Sequence, residues 1–246
     1  SAGADVRMVY SPLQAVALAE AHPDREVVFF AVGFETTTPP TAVALKQARQ
    51  RGLSNFSVLC NHVLTPAAIG AIMDSGSVPD LDGFVGPGHV STMIGAEAYA
   101  PAAARYRKPI VIAGFEPIDL MEAVLRLVRQ VNRQEAIVEN AYDRAAPARA
   151  NQVAAALMAE VFALRPLFAW RGLGSIRDSA LMLSPAYQNM DAEQRFALAD
   201  RDVVGYEDGP WIMVRQGAAE PRRIDKGGLP GVSAAGPGGG NTTGAA

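Results

Sequence analysis

The sequence predicts an α/β protein with open parallel sheets flanked by helices, arranged in two lobes. Short apolar, strand-like runs alternate with helix-like segments, and the connections between them are short. The runs lack polar–apolar alternation, which is typical of parallel strands that are covered on both faces. Repeated strand–helix alternation favours a parallel sheet over an antiparallel one. A helical segment and a disordered tail are expected to follow.

The first strand–helix units are predicted in the N-terminal fifty residues. A short strand is expected at 6–10, and Ser11-Pro12 then begins a helix, because serine is a common N-cap and proline suits the first helical turn. The continuous apolar run 27–32 predicts a buried strand. Thr38-Pro39 begins the next helix, which Gly52 closes.

The same unit recurs further along the chain. Strands are predicted at 56–59, 83–85 and 109–113, and each is followed by a helix-like stretch. The last of these helices is expected to begin at Pro117, in keeping with the preference of proline for the first helical turn.

Beyond residue 135 the pattern predicts mostly helix. A helical stretch is predicted over 138–165, with apolar residues at helical spacing from Val153 to Leu164, and Pro147 either interrupts or bounds it. The glycine-bearing stretch 170–183 is interpreted as a loop. The predicted domains are an α/β lobe at 1–134, a helical segment at 135–200 that packs on it or completes a second lobe, and an unrelated, largely disordered tail at 201–246.

Composition narrows the classes of function. The net charge is −3, so no basic excess indicates nucleic acid binding, and no apolar run is long enough for a membrane span. Cys60 is the single cysteine, which excludes a disulfide framework and a metal or iron–sulfur site built from several cysteines of this chain. A cytoplasmic location is the expected setting.

Polar residues follow four consecutive predicted strands. Ligands of open parallel sheets bind beyond the carboxyl ends of the strands, so we expect these side chains to share a common rim. Gly86-Pro87-Gly88 is expected to form a tight turn whose exposed amides bind an anion or a cofactor. The candidate catalytic residues are Glu35, Thr36, Thr37, His89, Ser91, Glu116 and Asp119.

Each candidate also has a structural interpretation. Glu35 and Glu116 follow strands within a repeated Gly-Phe-Glu, where a carboxylate can accept backbone N–H groups at a helix start. The threonines can act as caps, and Cys60 fits a small core residue better than a nucleophile. Residues expected to serve structure or partner binding are His62, Glu139, Asn140, Trp170 and Arg171.

Signatures of several enzyme classes are missing. The chain contains no GxGxxG, GxxxxGK[ST], GxSxG or HExxH motif. Dinucleotide-binding, P-loop, α/β-hydrolase and zincin interpretations therefore lose their main support.

In combination, several segments resemble the HypD family of hydrogenase maturation proteins. They occur in the family's order over about residues 3–196, and the ordered combination is far more specific than any one of them. The segments are GADVRMVYSP, VVFFAVGFETT, GPGHVSTMIG, PIVIAGFEPIDL, VENAYDRAAP, WRGLGSI and DAEQRF.

The resemblance implies a role in the maturation of [NiFe] hydrogenases. It implies a scaffold, more than a stand-alone enzyme, on which an iron atom acquires cyanide and carbon monoxide ligands with a HypC-like chaperone and a HypE-like cyanide donor. It also implies two α/β lobes around a cleft, bound iron and a cysteine-bound [4Fe–4S] cluster.

The chain departs from the family pattern in its cysteines. The family's CGxHxH-like and CPxC-like motifs and its cysteine-rich C-terminal region are missing, so no metal ligand is expected within this chain. Arg177 and Ala180 also depart from the run expected after WRGLG. These departures, together with the start at Ser1, predict an incomplete family member.

Three functions therefore stand as hypotheses. The first is the maturation scaffold, with the rim residues lining the cleft. The second is an independent α/β enzyme that binds a small anionic substrate at the Gly-Pro-Gly-His turn, with Cys60 or His62 as nucleophile or base. The third is a remnant that binds a HypC- or HypE-like partner without chemistry.

Overall fold

The computed structural model describes residues 5–74, 81–170 and 172–196, and these form strands and helices in alternation. The strands are β1 (Val27–Gly33), β2 (Phe56–His62), β3 (Phe84–Pro87), β4 (Ile110–Ala113), β5 (Val138–Asn140), β6 (Phe162–Trp170) and β7 (Gly174–Leu183). The helices are α1 (Pro12–Ala21), α2 (Thr38–Gln50), α3 (Thr65–Asp74), α4 (Gly88–Ile94), α5 (Ala100–Tyr106), α6 (Pro117–Asn132), α7 (Gln152–Val161) and α8 (Ala192–Arg195), with 3₁₀ turns at Ala96–Tyr99 and Pro185–Met190.

Two parallel sheets organise the described residues, which confirms the predicted α/β fold with parallel sheets flanked by helices. The first lobe contains β1 paired with β2, from Val27 opposite Phe56 to Gly33 opposite His62. The second lobe contains a three-stranded sheet in the order β3-β4-β5. Helices α2 and α6 follow β1 and β4, as the strand–helix pattern predicted.

The core of the first lobe lies between the β1–β2 sheet and helices α1, α2 and α7. Leu45 of α2 and Phe56 and Val58 of β2 are fully buried there. The Asn55 amide nitrogen lies 2.9 Å from the carbonyl oxygens of Ala19, His22 and Arg25, and it thereby fixes the end of α1 beside the sheet. This one amide satisfies backbone acceptors that helix α1 leaves unpaired.

The core of the second lobe is built on β4. Ile110 and Ile112 pack with the fully buried Tyr99 and with Ile69 of α3. Helix α3 follows β2 in the chain but contributes to this core, so it connects the two lobes.

The predicted strand at 6–10 is absent. Residues 5–9 are irregular, and the side chains of Val6, Met8 and Tyr10 are 81–88% exposed. A strand forms only where a neighbouring strand satisfies its backbone, and none among the described residues pairs with this segment.

The predicted helix over 138–165 forms only at α7, since residues 138–140 are strand β5 and α7 ends at Val161. The predicted loop at 170–183 is wrong, because β6 and β7 form an antiparallel hairpin. Phe162 is already extended, and Pro166 disfavours helical backbone at Arg165, so the helix does not reach 165 despite the apolar spacing. Gly172 and Gly174 adopt φ values of +80° and +75°, which allow the turn.

No helix in the described ranges is long and apolar enough to span a membrane. The predicted domain boundaries at 134 and 200 stay predictions. The tail expected at 201–246 lies outside the described residues.

Candidate functional site

Glu35 joins the end of β1 to helix α3. Its carboxylate accepts the backbone N–H of Thr65 at 2.7 Å and the Thr65 hydroxyl at 2.9 Å, and only 3% of the residue is exposed. Burial raises its pKa, against the lowering effect of these hydrogen bonds. The carboxylate therefore caps α3, which is the helix after β2 rather than the one that follows Glu35 itself.

His62 lies at the end of β2 between two threonines. Its Nε2 is 3.0 Å from the Thr41 hydroxyl and its Nδ1 is 3.3 Å from the Thr37 hydroxyl, while the ring is 1% exposed. Both threonine hydroxyls also donate to backbone carbonyls, of Thr37 and of Phe34 respectively. Burial lowers the pKa of His62 to about 4, so the neutral ring holds the start of α2 against β2.

Cys60 is a core residue. It is 2% exposed among the apolar residues of the first lobe. Burial raises the pKa of its thiol to about 11. Because the thiolate is the nucleophile, this thiol is unsuited to the chemistry that the second hypothesis required.

An ion pair lies at the carboxyl end of β4. Arg144 donates to both Asp119 oxygens, at 2.8 and 2.6 Å, and Asp119 also accepts the Glu116 backbone N–H at 3.4 Å. Hydrogen bonding by Arg144 is the largest cause of the lowered pKa of Asp119. The Arg144 guanidinium also lies 4.7 Å from the centroid of the Tyr142 ring. Asp119 thereby fixes the start of α6.

His89 stacks on an aromatic side chain at the same strand end. Its ring centroid is 4.2 Å from that of Phe115, and Phe115 contacts Tyr142 edge to face. The His89 side chain and the adjacent Glu116 are both exposed. Among the predicted rim residues, these two present an imidazole and a carboxylate to solvent at one edge of the second sheet.

The Gly-Pro-Gly turn differs from the expected exposed cradle. Gly86 and Gly88 are buried, and a Cβ on them would lie 2.4 Å from Ile112 Cδ1 and 2.5 Å from the Ala113 carbonyl oxygen. Close packing of β3 and α4 on β4 therefore requires the glycines. The predicted anion- or cofactor-binding role of Gly86, Pro87 and Gly88 remains a prediction without a supporting contact.

Tyr99 is among the largest fully buried side chains of the described residues and packs in the core of the second lobe. Burial raises its pKa to about 12, and its buried hydroxyl makes no hydrogen bond within the described residues. Ser91 is fully buried and donates to the Pro87 carbonyl at 2.8 Å. The alanine-rich surroundings of Tyr99 carry no sequence signal, and the sequence interpretation missed it.

The remaining predicted residues make structural contacts. Glu139 accepts from the buried Gln130 at 2.6 Å, and Asn140 donates to the Ala146 carbonyl at 2.7 Å. Trp170 donates to Ser179 at 2.8 Å, and its ring centroid is 6.2 Å from that of Phe34. Arg171 lies outside the described residues.

The predicted rim is thus two groups rather than one. Glu35, Thr36 and Thr37 follow β1, and Thr37 donates its hydroxyl to the Phe34 carbonyl at 2.8 Å. His89 and Glu116 follow β3 and β4 of the second sheet. Glu35 is bonded to Thr65 of α3, and Ile69 of the same helix packs in the second core, so α3 relates the two groups.

The described residues do not fit an iron–sulfur cluster. No group of three or more His, Cys, Asp or Glu among them could hold a metal ion. The chain has one cysteine, and its thiol is buried in the first core. A [4Fe–4S] cluster needs four thiolates, and the single cysteine of this chain cannot hold one by itself.

Replacing Glu35 with alanine is expected to lower the free energy of unfolding by about 1–3 kcal/mol, because the Thr65 donors lose their acceptor in a buried position. Glu35→Gln should cost less, since an amide keeps an acceptor and removes the buried charge. Urea unfolding at pH 7 measures both. Glu135→Ala, at an exposed position, is the matched control and should change stability by less than about 0.5 kcal/mol. Equal stability of Glu35→Ala and the control would contradict this role.

Comparison with known proteins gives one consistent result. A family model for HypD, described as the hydrogenase formation hypA family, matches residues 1–224. The chain is 53% identical over 224 residues to hydrogenase maturation factor HypD of Azotobacter vinelandii, covering 89% of this chain and 59% of the relative. It is 57% identical to the Rhizobium leguminosarum bv. viciae protein of that name, a match that covers 80% of this chain and 53% of the relative. It is 44% identical to the Escherichia coli (strain K12) protein, with 82% of this chain and 54% of the relative covered.

Two facts follow from these matches. The family match continues past Phe196 to residue 224, so the expectation that the resemblance ends near Phe196 and that everything after 200 is unrelated is corrected. The chain also spans only between half and three fifths of the length of these relatives.

Proposed function

The chain belongs to the HypD family of hydrogenase maturation factors, and we propose that it supplies part of the scaffold on which the iron unit of a [NiFe] hydrogenase is assembled. The family match carries this proposal. Its partners in this proposal are a HypC-like chaperone and a HypE-like cyanide donor. The iron with its cyanide and carbon monoxide ligands is the cargo, and a cytoplasmic location stays a prediction.

Within this scaffold, we assign the contact with cargo or partner to His89 and Glu116. Both side chains are exposed at the end of the second sheet, whereas Glu35 and Asp119 are buried against Thr65 and Arg144. The Glu116 carboxylate also takes part in the capping box at the start of α6. An imidazole can donate and accept hydrogen bonds, and a carboxylate accepts them. Asp119, Arg144 and Phe115 act as positioning residues, because they fix the start of α6 and the His89 ring.

In this proposal, the cysteine thiolates that bind metal are not supplied by this chain. Cysteine ligands for a resident cluster would come from another part of the family polypeptide or from a partner, because Cys60 is enclosed in the first core. The chain described here contributes shape, hydrogen bonding and proton handling.

The geometry weakens the hypothesis of an independent enzyme. The Cys60 thiol has a pKa raised to about 11, and His62 is buried with both ring nitrogens beside threonine hydroxyls. A nucleophile and base with these properties are poorly suited to act on a substrate in solution. The remnant hypothesis differs from the scaffold hypothesis only in whether the chain supports hydrogenase maturation. A maturation assay therefore distinguishes the two.

The test is hydrogenase maturation by a chimera in which this chain replaces the matched 224 residues of the Azotobacter vinelandii relative. His89→Ala and Glu116→Gln should each reduce hydrogenase activity by at least about tenfold, a loss in the range seen for groups that handle protons. Circular dichroism and thermal unfolding of each variant should match those of the unsubstituted chimera.

Matched controls use the half-buried His22 and the exposed Glu135. His22→Ala and Glu135→Gln should leave maturation unchanged. Full activity of both rim variants would remove these residues from the proposed site. Failure of the unsubstituted chimera to mature hydrogenase, with intact folding and intact partner binding in a pull-down, would favour the remnant hypothesis instead.

A further inference from the structure

One face of β1 is apolar and is not covered by any of the residues that the structure describes. Val28, Phe30 and Val32 point to the side opposite the core and are 45–61% exposed, whereas Ala31, between them in sequence, is buried in the first core. Within the described residues β1 pairs only with β2, so its outer edge is open as well. We call Val28, Phe30 and Val32 the β1 face.

Helix α6 shows a second uncovered face. Ile118, Met121, Leu125 and Val128 recur at helical spacing and are 48–79% exposed. The opposite side of the helix, which packs on the second sheet, buries Asp119, Ala123 and Gln130. The helix therefore turns its larger apolar side chains away from the lobe to which it belongs. We call these four exposed residues the α6 face.

We expect the β1 face to be covered permanently in the folded protein. Parallel sheets occur almost only with both faces covered, because their strands are apolar on both sides. An open strand edge with an apolar face is also a site of aggregation. A partner that binds and dissociates would repeatedly expose the apolar face and the open strand edge. A segment of the same polypeptide is therefore better suited to cover them than a transient partner.

The relatives supply such an occupant. The chain covers 59% of the Azotobacter vinelandii relative, so about two fifths of that polypeptide lies outside the match. We propose that this remaining part of the family polypeptide covers the β1 face and the α6 face, with a further strand beside β1 and helices over the two apolar surfaces. The proposal rests on family membership and is independent of the maturation role of His89 and Glu116.

Thiol labelling tests the proposal at single residues. Because Cys60 is buried, a cysteine introduced at an exposed position is the readily labelled thiol of this chain. Val32→Cys and Met121→Cys should react quickly with a maleimide in the chain alone, as should the control Gln50→Cys at the exposed end of α2. In the chimera with the Azotobacter vinelandii relative, the first two should react at least about tenfold more slowly, while Gln50→Cys keeps its rate, as read by peptide mass spectrometry.

A second measurement needs no substitution and no chimera. Backbone amides in the strand and helix matching 27–33 and 118–131 should exchange hydrogen at least about tenfold more slowly in the complete Azotobacter vinelandii relative than in its matched 224 residues alone. Equal exchange, or equal labelling, in the longer polypeptide would overturn the proposal. Protection that increases with the concentration of the chain alone would assign these faces to a second copy of the chain. Protection that appears only when a separate maturation protein is added would assign them to that partner. Either result would also overturn the proposal.

Discussion

Replacing Gly114 with alanine is expected to destabilise the second lobe by about 3 kcal/mol, the upper part of the range for overpacking a filled site. A Cβ at this position would lie 2.0 Å from Asp119 Oδ2 and 2.7 Å from Tyr142 Cδ2. Asp119 cannot simply turn aside, because Arg144 holds both of its oxygens. The added methyl group must break this ion pair or push β4 away from α6.

Urea unfolding followed by circular dichroism measures the loss. Gly70→Ala is the matched control, because a Cβ there meets only the Tyr106 hydroxyl oxygen at 3.5 Å, an ordinary contact. Since Gly70 lies inside α3, alanine should preserve or raise stability there by up to about 1 kcal/mol. A Gly114→Ala variant as stable as the control would show that the Asp119–Arg144 pair does not constrain this turn.

Acidification is expected to remove about 3 kcal/mol of stability through His62. Its pKa is about 4 in the folded chain and 6.5 in the unfolded chain, so the unfolded state binds more protons between these values. Stability from the neutral ring is complete above pH 6.5 and is lost as the pH falls towards 4. One pKa unit corresponds to about 1.4 kcal/mol.

The pH dependence of urea unfolding between pH 7.5 and 4 tests this. His62→Gln should be less stable than the parent at pH 7 and should lose less stability on acidification. Glu35 changes the pH dependence of stability in the opposite direction. Because burial raises its pKa, its contribution to the free energy of unfolding becomes more favourable as the pH falls. The Glu35→Gln background therefore isolates the histidine. Parallel pH profiles with and without His62 would contradict the assignment.

The repeated Gly-Phe-Glu shows how far sequence reasoning reaches. Both copies follow a strand, as predicted, but only β4 is buried on both faces, whereas β1 exposes Val28, Phe30 and Val32, so the prediction of a buried strand at 27–32 is wrong for one face. A Cβ on either glycine would clash, at Gly33 with Thr37 and at Gly114 with Asp119. The two glutamates nevertheless differ, since Glu35 is buried against Thr65 while Glu116 is exposed. The local pattern predicts the turn, but the environment of each carboxylate depends on which helix packs against it.

The β6–β7 hairpin shows where the local pattern failed. Apolar spacing alone favoured continued helix past Val161, and the glycines near 172 favoured a loop. The outcome depended on pairing: each strand satisfies the backbone of the other from Phe162 opposite Leu183 to Trp170 opposite Gly174. The paired residues are 4 to 21 positions apart, so the apolar spacing within one segment does not indicate them, and strand preference depends on the cross-strand partner.

The sequence by itself determined the parallel α/β class, the order of its strand–helix units through α6 and the family, because apolar continuity and turn residues act over a few neighbouring positions. Only the tertiary structure decided that the described strands form two parallel sheets and an antiparallel hairpin, that Glu35 caps α3 and that His89 stacks on Phe115. It also decided which apolar faces stay open. Burial and pairing are properties of residues brought together from distant parts of the chain, and they set the charge state of His62 and the reactivity of Cys60.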